Sequence, residues 1–505
     1  MTELGELPGS RWNNRRVAQI CGGPTVRGED GASEPALNPG ANDVQHKNCP
    51  RGATESMTDS PELLAGIKVV EFAQNAAIPQ CGRILAAMGA DVVKVEPPTG
   101  DAMRKANEFG QQESKAYVGI NPGKRSFALD LGAAGARPVI DKFFAWADVA
   151  LVAFKQSDLA RYGIDWDHAK TVNPQLVHLT HTPFGPEGPD ADQGGYDVLV
   201  QALSGMGFTM NRSSDGVPLP TRPAVNDFGT GIAAALGVVA ALRHRDLTGE
   251  GQRVDASLLA TALSLSTPMV TRFDAPGAYG QPTEIERALL DRRDAGEDFE
   301  ELRHRYETEV LQGQRNFMLY FRHYATEDGL ITVAGLSLGL IDKFHAATGI
   351  TRPAADASIS SNEFQTVVTE AEELFATRTT DEWMEILRGA GYPCGRYNLP
   401  FESLNDPQVR ANWFVADIDH PVAGRYTTPD LPVQFSATPA GIKGPSPLFA
   451  AHTTDVLAEL GFDREQTTTM LADGVVVQGQ GQGQGQGNPQ NHGHRQNPDT
   501  RANKA

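Results

Sequence analysis

Apolar runs of strand length alternate with helix-length stretches along the chain, and that alternation leaves few folds open. Ile67 to Phe72 is a short apolar strand. Pro79 fits the first turn of a helix running to about Met88, Gly89 ends it, and Asp91 to Glu96 is a strand again. The unit recurs. Arg125 to Leu131 reads as a strand, Arg137 to Trp146 as a helix, Ala147 to Phe154 as a strand, and Leu176 to Thr182 as another after Asn173-Pro174. Strands buried on both faces and separated by helices imply an α/β fold with a Rossmann-like, mainly parallel sheet. The turn after the first strand, A-Q-N-A-A-I-P-Q-C-G, lacks the G-x-G-x-x-G pattern of a dinucleotide site, so NAD is not indicated.

Composition divides the rest. Residues 1–60 are rich in Gly, Pro, Asn, Arg and Asp without apolar periodicity, and read as a disordered extension. Met57 precedes T-D-S-P-E-L-L-A-G-I-K, where structure is expected to begin, so the first 56 residues are a dispensable segment or a mis-assigned start. The first part of a large domain spans 61–265, and a charged helical linker spans 266–315. A smaller α+β domain covers 316–400, with a strand at Gly329 to Ala334 and helices near Leu340 to Thr348, Asn362 to Ala376 and Thr380 to Ala390. Residues 401–473 return to the large domain, ending in a helix, Thr453 to Leu460, that packs back on it. From Gly474 a Gln-Gly tail runs to residue 505.

With 505 residues and 40% hydrophobic content the chain can build two or three domains. Lys and Arg total 44 against 63 Asp and Glu, a net charge of −19, which argues against nucleic acid or an anionic membrane as partner. An anionic small ligand needs local basic residues. Cys21, Cys49, Cys81 and Cys394 have no metal-ligand spacing and are too few for a disulfide framework. No signal-type N-terminus and no uninterrupted apolar stretch of membrane length stand out, so a cytoplasmic protein with no metal is expected.

Asp227 carries the clearest chemical signal. It stands directly before a helix of small and apolar residues in R-P-A-V-N-D-F-G-T-G-I-A-A-A-L-G, where the helix dipole and unpaired backbone N–H groups favour an ionised carboxylate. That position suits a nucleophile, and it equally suits a structural N-cap. Gly229 and Gly231 allow either close approach of substrate to the backbone or tight helix packing.

The surrounding segments tip this balance. In order they are L-A-G-I-K-V-V-E-F with M-G-A-D-V-V-K-V-E-P-P downstream; G-K-R-S-F-A-L-D-L; A-D-V-A-L-V-A-F ending in L-A-R-Y-G; G-G-Y-D-V-L-V-Q-A-L-S-G; and P-A-V-N-D-F-G-T-G followed by H-R-D-L-T-G-E-G-Q-R-V-D-A-S. From about Leu63 to Gly461 the chain resembles the class III CoA-transferase family, which contains formyl-CoA transferase and 2-methylacyl-CoA racemase. The resemblance implies a homodimer of two interlocked rings, no prosthetic group, and a coenzyme A thioester and a free carboxylic acid as substrates.

It also implies a site. Asp227 falls on the catalytic aspartate, whose carboxylate forms an acyl anhydride with the donor. Leu129 and Asp130 fall at the adenosine end of CoA, Phe154 on the apolar residue after the fourth strand, and Arg161 on an arginine that meets the nucleotide. Lys124 and Arg125 add positive charge near the phosphates, and Gln193, Gly194, Gly195 and Tyr196 line the thioester. Racemases of the family carry a histidine where Tyr196 stands, and a tyrosine is a poor base at neutral pH, which favours transferase over racemase. Ala76 and Ala153 replace a glutamine and an asparagine of the family, and G-Q-R-N-F-M-L-Y-F stands where formyl-CoA transferase has a glycine-rich loop. Formate and oxalate are therefore not the expected substrates. A 2-methylacyl-CoA racemase using another base, or an inactive CoA-binding homologue, are the alternatives.

Overall fold

The computed structural model describes residues 61–210, 217–271, 284–310, 319–353 and 362–479. The expected N-terminal extension, most of the G-Q-R-N-F-M-L-Y-F segment, and residues 480–505 of the expected tail lie outside them.

The large sheet is built from β1 (Lys68–Phe72), β2 (Asp91–Glu96), β3 (Arg125–Leu129), β4 (Val149–Ala153), β5 (Val177–Thr182), β6 (Gln252–Ser257) and, far along the chain, β12 (Val476–Val477). Their spatial order is β12-β3-β2-β1-β4-β5-β6, parallel throughout except for β12. The chain steps outward from β1 to β3, returns to β4 on the other side of β1, and continues to β6. This reversal creates a switch point at the C-terminal ends of β1 and β4, where sheets of this kind bind ligands.

Both faces are covered, as strands buried along most of their length require. On one side Phe72, Phe127 and Val152 pack on α2 (Ala136–Trp146), whose Phe143 meets the rings of Phe72 and Phe127 edge-on at 6.1 and 5.1 Å. On the other, Val69, Leu151 and Leu179 pack on α1 (Ala77–Ala87) and α5 (Val225–Thr248). The two helices lie very close. A Cβ at Gly231 would come within 2.7 Å of the Ala77 carbonyl oxygen and of Gln80.

α5 has the length and apolar content of a membrane span, yet the face that carries Ala234, Val238 and Leu242 is buried against the sheet. Its opposite face shows Ile232, Leu236 and Val239 to solvent, Leu236 at 72% exposure. The neighbouring α4 (Asp197–Leu203) and α6 (Leu258–Leu265) extend this apolar surface with Leu199, Leu203, Leu263 and Leu265.

A buried ionic network fixes the loop after β1. Lys94 on β2 reaches Glu71 at 3.0 Å, Asp101 at 2.8 Å and the Ala73 carbonyl at 2.6 Å. Lys124 reaches the other Glu71 oxygen, the Pro79 carbonyl and Asn121, each at 2.8 Å. Arg104 joins Glu96 and Glu113 and stacks on Tyr117. Asp101 in turn accepts the Asn75 backbone N–H, and the Gln74 side chain accepts that of Ala102. Residues 73–76 are thus held from below by charges sealed away from water.

The smaller unit is an antiparallel sheet of order β9-β8-β7, from β7 (Phe321–Ala325), β8 (Leu330–Ala334) and β9 (Cys394–Arg396). Helices α7 (Leu338–Thr348), α8 (Asn362–Phe375) and α9 (Thr380–Gly389) cover it around Tyr324, Phe344, Phe375 and Trp383. Thr379 and Glu382 form a reciprocal capping box that starts α9. The hairpin β10 (Val415–His420) and β11 (Gly424–Pro429) follows, and Ile418 joins the core under α1. Helix α10 (Thr453–Glu459) packs Val456 and Leu457 into the core beneath α2, and a further helix, α11 (Arg464–Ala472), follows it.

One boundary moves. The expected tail from Gly474 begins later, because Val476 and Val477 pair with Leu129 and Ala128 and close the edge of β3. Burial of Val475 and Val476 and the two-strand ladder hold these residues in the fold.

Candidate active site

Asp227 is the third residue of α5, not its N-cap; Ala224 occupies that position. The capping task falls to Asp197 of α4, whose Oδ1 accepts the Asn226 backbone N–H at 2.7 Å and whose Oδ2 accepts from Gln201. Asp197 is almost fully buried, while the Asp227 carboxylate makes no hydrogen bond among the described residues. It faces instead a cavity of about 230 Å³. Burial, then the like charge of Asp197, pushes its carboxyl up to about 6. The helix end is offset by desolvation and a second carboxylate, and the group remains mostly ionised at neutral pH as a poorly solvated base.

The cavity lies at the switch point. Its wall comes from Gln74 to Ile78 after β1, Ala153 to Lys155 at the end of β4, His181 and Pro183 at the end of β5, Gly194 to Tyr196, Asp227 and Leu258. A Cβ on Gly195 would come within 2.6 Å of Pro183, so this glycine lets the 194–196 strip lie flat on the strand end. Tyr196 is 67% exposed and borders the opening. Gln193 is exposed and lines no described cavity.

A second cavity, about 220 Å³, adjoins the first along the sheet edge. Leu129, Asp130, Gly132, Pro97 and Tyr162 line it, and Gln74 and Phe154 line both. Arg161, on α3 (Gln156–Tyr162), lies outside both walls, 69% exposed, with Asp158 at 3.5 Å and its guanidinium over the Tyr162 ring. The structure therefore gathers Asp227, Phe154, Gly194, Gly195, Tyr196, Leu129 and Asp130 along one arc and leaves Arg161 near its rim.

Three expectations change. Lys124 is enclosed in the Glu71 network, and Arg125 is committed to Asp91 and Glu459 at 2.6 and 2.7 Å, so neither is available to phosphate. Gly231 serves packing on α1, and a Cβ at Gly229 would meet Thr261 of α6 at 3.0 Å, so both glycines answer to helix contact rather than to substrate. The cation in the arc is Lys155, one residue after Phe154.

His181 was not singled out from the sequence either, although the C-terminal end of a central parallel strand is where such a residue meets ligand. Its ring lines the Asp227 cavity, and burial pushes its titration down to about 4. Asn226, beside Asp227, is fully buried with both side-chain amide atoms unpartnered.

The arrangement combines a carboxylate free of internal partners, apolar walls of Ile78, Phe154 and Leu258, and an elongated extension past Phe154. Such a site can hold a long ligand with its reactive end at Asp227. The pattern of CoA-transferase family III matches residues 64–453. A formyl-CoA:oxalate CoA-transferase of Rhodopseudomonas palustris (strain BisA53) is 30% identical over 429 residues, 82% of this chain and 97% of that protein. A succinate–glutarate CoA-transferase of Agrobacterium fabrum (strain C58) is 30% identical over 421 residues, 80% of this chain and 98% of that protein. Among solved structures, a CAIB/BAIF family protein from Brucella suis superposes with a TM-score of 0.62 at 26% identity, covering 79% of this chain and all of that one. With six of the seven strands of its sheet and both cavities inside the matched span, the chain belongs to CoA-transferase family III.

Proposed function

We propose that this class III CoA-transferase moves CoA between an acyl thioester and a free carboxylic acid through a covalent Asp227 adduct. The observation that carries the reading is the Asp227 carboxylate itself, unpaired and half-buried at the one end of a two-chambered cleft. In the first step an Asp227 oxygen attacks the thioester carbonyl carbon, the C–S bond breaks, and CoA leaves as thiolate. The product is a mixed anhydride of Asp227 and the acyl group. The acceptor carboxylate attacks the acyl carbon of this anhydride and releases Asp227, and the waiting thiolate then attacks the acceptor's carbonyl carbon in the new anhydride, giving the acceptor's thioester and the free donor acid. Water would intercept the anhydride, so the apolar walls and limited volume of the cavity serve the chemistry directly.

The second cavity accommodates the nucleotide end of CoA beside Leu129, Asp130 and Phe154, with the pantetheine arm passing Gln74 and Phe154 toward Asp227. Arg161 and Lys155 supply the positive charge that a phosphorylated ligand requires of so acidic a chain. Ala76 and Ala153 both line the Asp227 cavity, and their small side chains leave room for an acyl group larger than formyl. The exposed apolar surface of α4, α5 and α6 supports a homodimer that buries it. The buried thiol of Cys81 suits the reducing cytoplasm proposed as its setting.

The test is chemical trapping. Incubation with an acyl-CoA followed by hydroxylamine or borohydride places a modification on Asp227, read by peptide mass, and CoA passes to a labelled acid. An acyl-CoA that is consumed with no mark on Asp227, or exchange of its α-hydrogen with deuterated water in the absence of any acceptor, would refute the transferase mechanism.

A further inference from the structure

β5 carries two histidines with opposite surroundings. His178 lies in the apolar layer near Phe144 and Trp166, and both ring nitrogens have partners: Nε2 is 2.9 Å from the Ile164 carbonyl and Nδ1 is 3.1 Å from Thr180 Oγ1. His181, at the end of the same strand, is only 9% exposed, yet its Nε2 is sealed from solvent without a hydrogen-bond partner. Its ring forms part of the wall that Asp227 shares. Apolar atoms of Ile78, Phe154, Pro183 and Leu258 make up much of the remaining wall.

Buried polar atoms are nearly always satisfied, and one that is not calls for a partner from outside the fold. The sheet has no need of an imidazole here, since Val177 and Leu179 fill neighbouring positions of β5. No acid holds the ring charged; desolvation is what acts on it, so it is neutral at physiological pH with one N–H donor and one bare nitrogen. His181 lines the Asp227 cavity and not the one beside Leu129 and Asp130, so its partner belongs to the acyl end of the ligand.

We propose that His181 is a substrate-contacting residue, its neutral imidazole hydrogen-bonding an oxygen of the acyl group presented to Asp227. The inference rests on the reading that an acyl-CoA occupies this cleft. The positions to which the family resemblance assigns a role do not include it. A neutral ring favours an uncharged oxygen, a carbonyl or hydroxyl, whereas a free carboxylate is better met by Lys155.

The experiment compares ligands with and without the acyl group in an Asp227→Asn background, which stops turnover. Free CoA and acetyl-, succinyl- and 3-hydroxybutyryl-CoA are titrated by calorimetry into Asp227→Asn and into the same protein carrying H181L or H181Q. H181L weakens at least one acyl-CoA by ~10–100-fold while leaving free CoA unchanged, and H181Q, whose amide reaches the Nε2 position, recovers most of the loss. In histidine-labelled Asp227→Asn protein, the His181 ring ¹⁵N signal, identified by its absence in H181Q, moves on adding acyl-CoA and not on adding CoA. This second readout needs no destabilising variant. Equal affinities for H181L and its parent across all thioesters, or an unmoved ring signal at saturation, would overturn the role of His181 alone. Absence of binding of both CoA and acyl-CoA to the Asp227→Asn protein would overturn the transferase reading with it.

Discussion

Two polar clusters at the C-terminal half of the sheet obey opposite rules. In the network of Glu71, Lys94, Glu96, Asp101, Arg104, Glu113 and Lys124, each buried charge faces an opposite one. Around Asp227 the carboxylate has no internal hydrogen bond, Asn226 and His181 hold unpartnered nitrogens, and the nearest charge of note is another carboxylate. The first cluster spends its interactions internally and becomes architecture. The second leaves them open. Burial alone does not separate the two clusters; whether each buried charge meets an opposite one does.

The sharpest way to break this contrast is Asp227→Asn. Transfer of labelled CoA should fall by ~10⁴-fold or more, as for other lost nucleophiles, with the fold intact. A variant keeping a tenth of the parent rate would return Asp227 to the structural class. Next in size is Lys94→Met, which strands Asp101 without its cation and leaves Glu71 with Lys124 alone. Urea unfolding should show a loss of about 3–5 kcal/mol; a loss below about 1 kcal/mol would mean the network does not hold the 73–76 loop.

Arg161→Ala should weaken CoA binding by ~10-fold through one lost charge-assisted contact, with the melting temperature unchanged because the side chain is exposed. Equal CoA affinity would move the phosphates away from the α3 rim. The smallest effect separates stability from function at a single atom. Folding raises the Asp227 carboxyl from 3.8 to about 6, so the native state holds a proton that the unfolded chain releases. The penalty is absent below the unfolded value, grows as pH rises through about 6, and is complete above it. Asp227→Asn should therefore stabilise the protein by about 1–2 kcal/mol at pH 8 and not at pH 4. The parent's transfer rate should fall below about pH 6, where the carboxylate takes up its proton. An Asn variant equally stable at both pH values relative to the parent would show that the carboxylate is well solvated.

Much of this was legible before any coordinates, and for physical reasons. Val69 to Phe72, Val92 to Val95 and Val149 to Val152 are buried at successive positions, all apolar but Glu71 and Lys94, because helices cover both faces, and such runs announce a parallel sheet. Asp227 was legible through its place before an apolar helix, but that it does not cap that helix was not, because Asp197, thirty positions earlier in the chain, already answers the Asn226 N–H. Lys124 looked like a phosphate ligand because the Glu71 that claims it is 53 residues away. His181 and Lys155 acquire meaning only once the strands are ordered. The strand at Val476 and Val477 is too short for periodicity to reveal.

That last strand has a consequence for biogenesis. β3 takes backbone hydrogen bonds from β12, and Ser126 and Ala128 bond to Ala450 and Thr453, more than 300 positions downstream. A ribosome must release nearly the entire polypeptide before the β3 margin is shielded, whereas residues 319–397 contain every strand of the smaller sheet and can fold as they emerge. The nascent molecule thus spends most of its synthesis with one bare sheet edge, and chaperones would find their client there.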